Sequence, residues 1–224
     1  MDKLEDKFEG TASAQNYQFR LARERLVRHQ MTMSPSYNVS NRTDPNNQES
    51  IIQSVEEQYK HDLQMKSITC IDCWNYFSGE SAALWKIYSD FGKGLMIKSN
   101  LTNVETSFEN SIEEIRISEI TYIDYKNELM PDYNSFYLAA HKDIAYSYEN
   151  EVRLIHNVSL GNVGWQHDWS KEEVEEGVYI KMDVDILIDE LIVAPHAPKW
   201  YIDLIKNLCA KYNLDKPVNR SRLS

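Results

Sequence analysis

The chain has 224 residues, enough to bury a sizeable core, and its 42% hydrophobic and 26% charged content is that of a folded protein. A formal net charge of −11 argues against a general surface for duplex DNA, because phosphate is repelled by a field of that sign. No run reaches the roughly 18 to 20 apolar residues of a membrane helix, and the acidic, polar start lacks the apolar stretch of a signal peptide. Cys70, Cys73 and Cys209 cannot form a complete disulfide set, which fits a reducing compartment, so a cytoplasmic protein is expected.

Taken in chain order, residues 16 to about 31 carry Tyr17, Leu21, Ala22 and Leu26 at helical spacing. Arg20, Arg23, Arg25, Arg28 and His29 lie between them and are a candidate local basic patch, with a solvated helix face as the plainer explanation. Residues 32–49, with Pro35, Pro45 and several asparagines, predict a surface loop. Gln48 to Met65 predicts a helix capped by Asn46 or Asn47, with Ile52, Val55, Tyr59 and Leu63 as its apolar stripe. Ser67 to Trp74 is apolar on both faces and predicts a buried central strand. A helix starting near Ser78-Gly79-Glu80 would turn Leu84, Trp85, Tyr88 and Phe91 to one side and stop at Gly92.

Leu95 to Lys98 predicts a short strand, and alternation of Ile115, Ile117 and Ile123 predicts another that runs to about Tyr125. Phe136, Ala140 and Ile144 sit at helical spacing, and Glu149 to Val158 alternates as a strand. A loop rich in Gly and acids follows at 161–177, then strands at Val178–Val184 and Ile186–Val193. Pro195 and Pro198 introduce a last helix with Tyr201, Leu204, Ile205, Leu208 and Tyr212 inward. The sum is an α+β domain spanning residues 1–224, with a mixed, mostly antiparallel sheet of about six strands flanked by helices.

The densest chemistry lies at Glu149-Asn150-Glu151-Val152-Arg153. On a strand, residues two apart share a face, so Glu149, Glu151 and Arg153 would point one way while Val152, Leu154 and His156 enter the core. A solvated strand face with surface ion pairs, each of ~0 to 1 kcal/mol, is the plain alternative. A second candidate is the strand-to-helix junction holding Trp74, Glu80, Ser81, Trp85 and Tyr88. Backbone N–H groups point outward at such junctions and often shape a pocket. Against this, Trp85 and Tyr88 suit a core, and Glu80 suits any helix N-terminus. Cys70 and Cys73, three apart on a strand, face opposite sides and cannot share a metal; His156, His167 and Asp168 have no ligand spacing of their own. Glycine-rich phosphate loops and the serine nucleophile elbow are absent from the sequence.

Together these residues resemble a large bacterial and phage family long classed as a domain of unknown function. The resemblance rests on Cys73-Trp74, Glu80-Ser81, Leu84-Trp85-Lys86, Tyr88 and Gly94, on Tyr122-Ile123-Asp124-Tyr125, on Tyr148-Glu149-Asn150-Glu151-Val152-Arg153 and on Ser221-Arg222-Leu223. Its opening motif is matched by Asp6-Lys7-Phe8-Glu9-Gly10. In the family a further strand and helix precede that motif, so the resemblance implies a missing N-terminal strand.

The family's arrangement is in turn similar to ADP-ribosyltransferases, which implies NAD as cofactor and, by the family's reputation, a part in phage defence. In that scheme Glu151 stabilises the oxocarbenium-like ribose as the nicotinamide bond breaks, and Glu149 orients the acceptor. Tyr88 or Trp74 stacks on nicotinamide, with Glu80, Ser81, Trp85 and Arg153 around the cofactor. Two other classes stay open. One is a metal-dependent nuclease or hydrolase with Asp6, Glu9, Glu149 and Glu151 on Mg²⁺. The other is a non-catalytic module that binds a small-molecule ligand or a protein partner, for instance through an exposed edge strand.

Overall fold

Ser13 accepts a hydrogen bond from the Asn16 amide and so caps helix α1 (Ala14–Thr32). In the same way Asn47 accepts from the Glu49 amide to start α2 (Gln48–Ser67). Leu21 of α1 meets Ile51 and Val55 of α2 in a buried cluster, with Tyr17, Ile52 and Tyr59 packed at its edge. The apolar stripe of α2 therefore runs through Ile51 and Val55; Leu63, expected inside, is 57% exposed. The arginines of α1 are not simply solvated either. Arg20 is buried and paired with Asp62 at 2.7 Å, and Arg28 reaches Glu24 and Ser50, while Arg25 and His29 are exposed.

The structure, a computed structural model, describes residues 8–33, 47–89, 92–131, 134, 136–158, 162–163, 166–167 and 177–223. Most of the expected loops at 32–49 and 161–177, and Phe91 and Asp168, lie outside them. The fold is α+β. The chain divides into two compact units: Met1–Tyr76 with Ile115–Val178, and Phe77–Glu114 with Tyr179–Ser224.

The first unit holds β1 (Thr69–Asn75), β3 (Arg116–Glu119), β4 (Thr121–Ile123), β5 (His141–Asp143) and β6 (Glu151–Asn157), while β2 (Leu95–Lys98) belongs to the second. Among the described residues the strands form several small sheets instead of the single six-stranded sheet expected from the sequence. Strand β6 is instead the centre of a three-stranded antiparallel sheet in the order β1-β6-β3, and β4 pairs β5 in a separate parallel ladder. Strand β1, expected to be central, is an edge, and its Asp72, Cys73 and Asn75 are exposed. The expected strand to Tyr125 is broken at buried Ile120 into β3 and β4, because each half pairs with a different partner. The helical spacing of Phe136, Ala140 and Ile144 yields one turn, α5 (Phe136–Ala139), then β5 and a 3₁₀ turn over Ile144–Glu149. Pairing of His141 with Thr121 overrides the local helical pattern. A small ladder joins β7 (Asn162–Val163) to β8 (Gln166–His167).

The second unit is built on β9 (Glu190–Val193), flanked by antiparallel β2 (Leu95–Lys98) and parallel β10 (Val218–Arg220). Helices α3 (Ala82–Tyr88), α4 (Leu101–Ser107), α6 (Val184–Leu187) and α7 (Lys199–Lys211) complete it. The strands expected at Val178–Val184 and Ile186–Val193 shrink to β9 alone. Asp183 explains this, since its carboxylate accepts from the Ile186 amide at 3.1 Å and starts α6 there. On α7 the buried residues are Ile202, Ile205 and Cys209, whereas Leu204, Leu208 and Tyr212, expected inward, are 43%, 41% and 71% exposed. Gly94 is required by packing: a side-chain carbon there would fall 2.4 Å from the Ser89 Cβ and 3.1 Å from the Trp85 ring. Among the described residues, no helix is long and apolar enough to cross a membrane.

The α1–α2 seam supplies the first unit's helical core, so its loss is measurable. Ile51→Ala should lower the unfolding free energy of this unit by about 2 to 5 kcal/mol in urea denaturation.

Candidate functional site

Strand β6 enters the first unit through a left-handed residue. Asn150 has φ 44°, a conformation asparagine tolerates, and it is held by Tyr76, whose N–H donates to its carbonyl at 2.7 Å while its side-chain amide donates back to the Tyr76 carbonyl. Glu149 thus ends the 3₁₀ turn instead of lying on the strand, and Glu151 opens β6. The two carboxylates still converge, because Lys142 of β5 donates to Glu149 Oε2 at 2.5 Å and to Glu151 Oε2 at 3.1 Å.

Arg153 carries the chain of charges inward. Its Nε donates to Glu151 Oε1 at 2.6 Å and its Nη2 to Glu151 Oε2 at 3.3 Å, and its Nη1 donates to the Ala139 carbonyl at 2.8 Å. Glu9 pairs with Nη2 from the opening turn, which is fixed by a Thr11-to-Phe8 hydrogen bond and by stacking of Phe8 on Tyr125 at 5.4 Å. Arg153 is fully buried, and Glu9, Glu149 and Glu151 are nearly so at 2%, 6% and 4% exposure. The sequence alternation predicts the reverse, with Val152 and Leu154 in the core and the charged face outward. In the structure both Leu154 and the charged face are buried, and Val152 and His156 are only half-buried.

The surrounding groups respond to this field. Burial would lower the Lys142 ammonium, but its hydrogen bond to Glu149 and the charges of Glu151 and Glu149 outweigh that and raise it above the ordinary lysine range. Burial and the Glu151 carboxylate raise the Tyr122 phenol, whose oxygen also accepts the Glu151 N–H at 2.8 Å. Cys73 is exposed as a residue, yet its sulfur lies against Glu151, and desolvation together with that carboxylate pushes the thiol well up. A thiol held protonated is a poor nucleophile.

Cross-strand register separates the remaining candidates. Cys73 and Ser118 stand opposite Arg153 and share its face, whereas Trp74 stands opposite Val152 on the other face of the sheet. Trp74 therefore does not stack beside Glu151; its indole N–H donates to Asp72 at 2.8 Å. Glu80, Ser81, Trp85 and Tyr88 belong to the second unit, where three of them have structural tasks. Glu80 accepts from the Trp85 indole at 3.0 Å, from the Arg222 amide at 3.0 Å and from the Ser221 hydroxyl. Burial would raise this carboxyl, but those three donors hold it below its usual value. Ser81 caps α3 by accepting from Leu84, and Tyr88 is 65% exposed.

For the metal alternative, Asp6 lies outside the described residues, while Glu9, Glu149 and Glu151 do converge, though upon two cations. Among the described residues no three His, Cys, Asp or Glu side chains are placed to hold a metal ion. Lys142 is the functional candidate that sequence reading missed. It lies seven and nine residues before the two glutamates, so no single helix or strand face carries all three, and the β4–β5 pairing sets it between them.

Two measurements test the ion network. Glu151→Gln leaves the buried Arg153 and the half-buried Lys142 short of a carboxylate and should lower the unfolding free energy by about 3 to 5 kcal/mol in urea titration. Because the Lys142 ammonium is raised in the fold, its stabilisation is complete below the unfolded value of 10.5 and is lost as pH climbs through the higher folded value. Thermal melts above pH 10.5 should therefore show a steeper loss of stability for the native chain than for Lys142→Met. Comparison with known protein families, with characterised proteins and with solved structures finds no match, so the family resemblance rests on the quoted motifs alone.

Proposed function

We propose that this protein is a non-catalytic binding module for a small molecule or a protein partner, with Glu9, Lys142, Glu149, Glu151 and Arg153 acting as an internal clamp. The state of Glu151 supports this reading. A carboxylate that stabilises an oxocarbenium-like ribose must offer it an oxygen. Here Arg153 engages both Glu151 oxygens, Lys142 engages Oε2 as well, and the side chain is 2% exposed. Turning Glu151 toward a substrate would break its hydrogen bonds to Arg153 and Lys142 and leave Glu9 as the carboxylate on the fully buried Arg153, which is unfavourable.

NAD-dependent ADP-ribosyl transfer is the second reading, and one observation favours it. The network's least buried members are Lys142 and Glu149, with side chains 11% and 8% exposed. Glu149 would then be the group nearest a bound acceptor.

The test is an NAD⁺ consumption assay on the native chain, Glu149→Gln and Glu151→Gln, alongside thermal-shift titrations with NAD⁺ and with Mg²⁺. The binding-module reading expects no NAD⁺ consumption and no shift with either. A ligand at ~100 times its dissociation constant adds roughly 2.7 kcal/mol, well within reach of such an assay. Turnover of NAD⁺ that disappears in Glu149→Gln would replace the module with the transferase.

A further inference from the structure

A groove of about 450 Å³ opens within the first unit between α1, α2 and the residues Met130, Pro131, Asn134 and Leu138. That volume is in the range of small-metabolite sites. Helix α1 lines it with Asn16, Arg20 and Arg23, which the i, i+4, i+7 spacing sets on one face. Helix α2 faces them with Glu57 and Asp62, and Met130 and Leu138, both buried, give an apolar floor. Farther along, these helices meet through Leu21, Ile51 and Val55 and through the Arg28-to-Ser50 hydrogen bond.

Among the described residues, α1 contributes two arginines to the groove and α2 contributes two carboxylates beside His61. A phosphate or simple carboxylate at the α1 arginines would also face Glu57 and Asp62, and an amine at those carboxylates would face the guanidiniums. A ligand with both charges satisfies both walls. The walls are also set in position beforehand: Arg20 Nη1 meets Asp62 at 2.7 Å and stacks 4.9 Å over the Tyr59 ring, and Arg23 Nη2 donates to Gln58 at 2.8 Å. Such preorganisation lessens the entropy lost on binding.

We infer that this groove binds a small zwitterion with an apolar side group, of the class of an α-amino acid or short peptide. Its carboxylate lies toward Arg20 and Arg23, its ammonium toward Glu57 and Asp62, and its apolar group on Met130 and Leu138. This inference rests on the binding-module reading and names the ligand class for it.

The test is isothermal titration of the native chain with L-leucine and with L-leucyl-L-leucine. The same titration follows with 4-methylpentanoate, which lacks the ammonium, and 3-methylbutylamine, which lacks the carboxylate. Arg23→Gln and Glu57→Gln change half-exposed and exposed residues, so the fold is retained, as circular dichroism would verify. The inference expects at least one zwitterion to bind, both single-charge analogues to bind worse, and each variant to weaken binding roughly 10- to 100-fold, the effect of one charge-assisted hydrogen bond. Absence of zwitterion binding, equal binding of either analogue, or affinity unchanged in both variants would overturn it. Those results leave the module reading standing, whereas NAD⁺ turnover removes that reading whatever the titration shows.

Discussion

Burial of the Arg153 guanidinium constrains the first unit more than any other single feature. A guanidinium cannot shed its proton in a protein, so its charge must be met wherever the chain places it. Arg153 is met from three separate segments: the opening turn through Glu9, the end of α5 through the Ala139 carbonyl, and its own strand through Glu151. Glu151 then calls in Lys142 from β5, and Lys142 calls in Glu149. Each partner answers a charge that would otherwise be buried alone, and the turn, the α5 helix, β5 and β6 are positioned together as a result.

Such a network is expensive to bury, and hydrophobic residues of similar volume often match or exceed it in stability. What it offers is directional linkage, since each of its hydrogen bonds holds only in one arrangement of the backbone. The left-handed Asn150 shows the same demand on geometry. It breaks the strand between two glutamates so that Glu149 can reach the Lys142 that Glu151 also binds. A tripeptide that reads as a catalytic strand motif is, in this fold, a turn followed by the first strand residue. The second unit uses its own acid in a similar way, with Glu80 joining the start of α3 to Ser221 and Arg222.

The same physics bears on function. A carboxylate engaged on both oxygens and shielded from water is ready to hold structure, and it must exchange partners before it can meet a ribose. The polar groove of the first unit is different in kind. Its charges also pair across the walls, but they line open volume with an apolar floor, which suits recognition of a molecule small enough to enter.

The sequence by itself determined the class of fold, the helices α1, α2 and α7 to within a few residues, and the segment where the charges gather. Those follow from local causes: capping by Ser13 and Asn47, apolar periodicity, and the density of ionisable residues near 150. Only tertiary structure decided that the charged face of β6 is buried, that β1 is an edge strand, that Trp74 and Glu151 lie on different faces of the sheet, and that Lys142 joins the two glutamates. Period-two alternation assigns the charged residues outward because isolated charges favour water. Once Arg153 and its carboxylates neutralise one another, that preference no longer operates, and the pairing partner lies too far along the chain for any local pattern to reveal it.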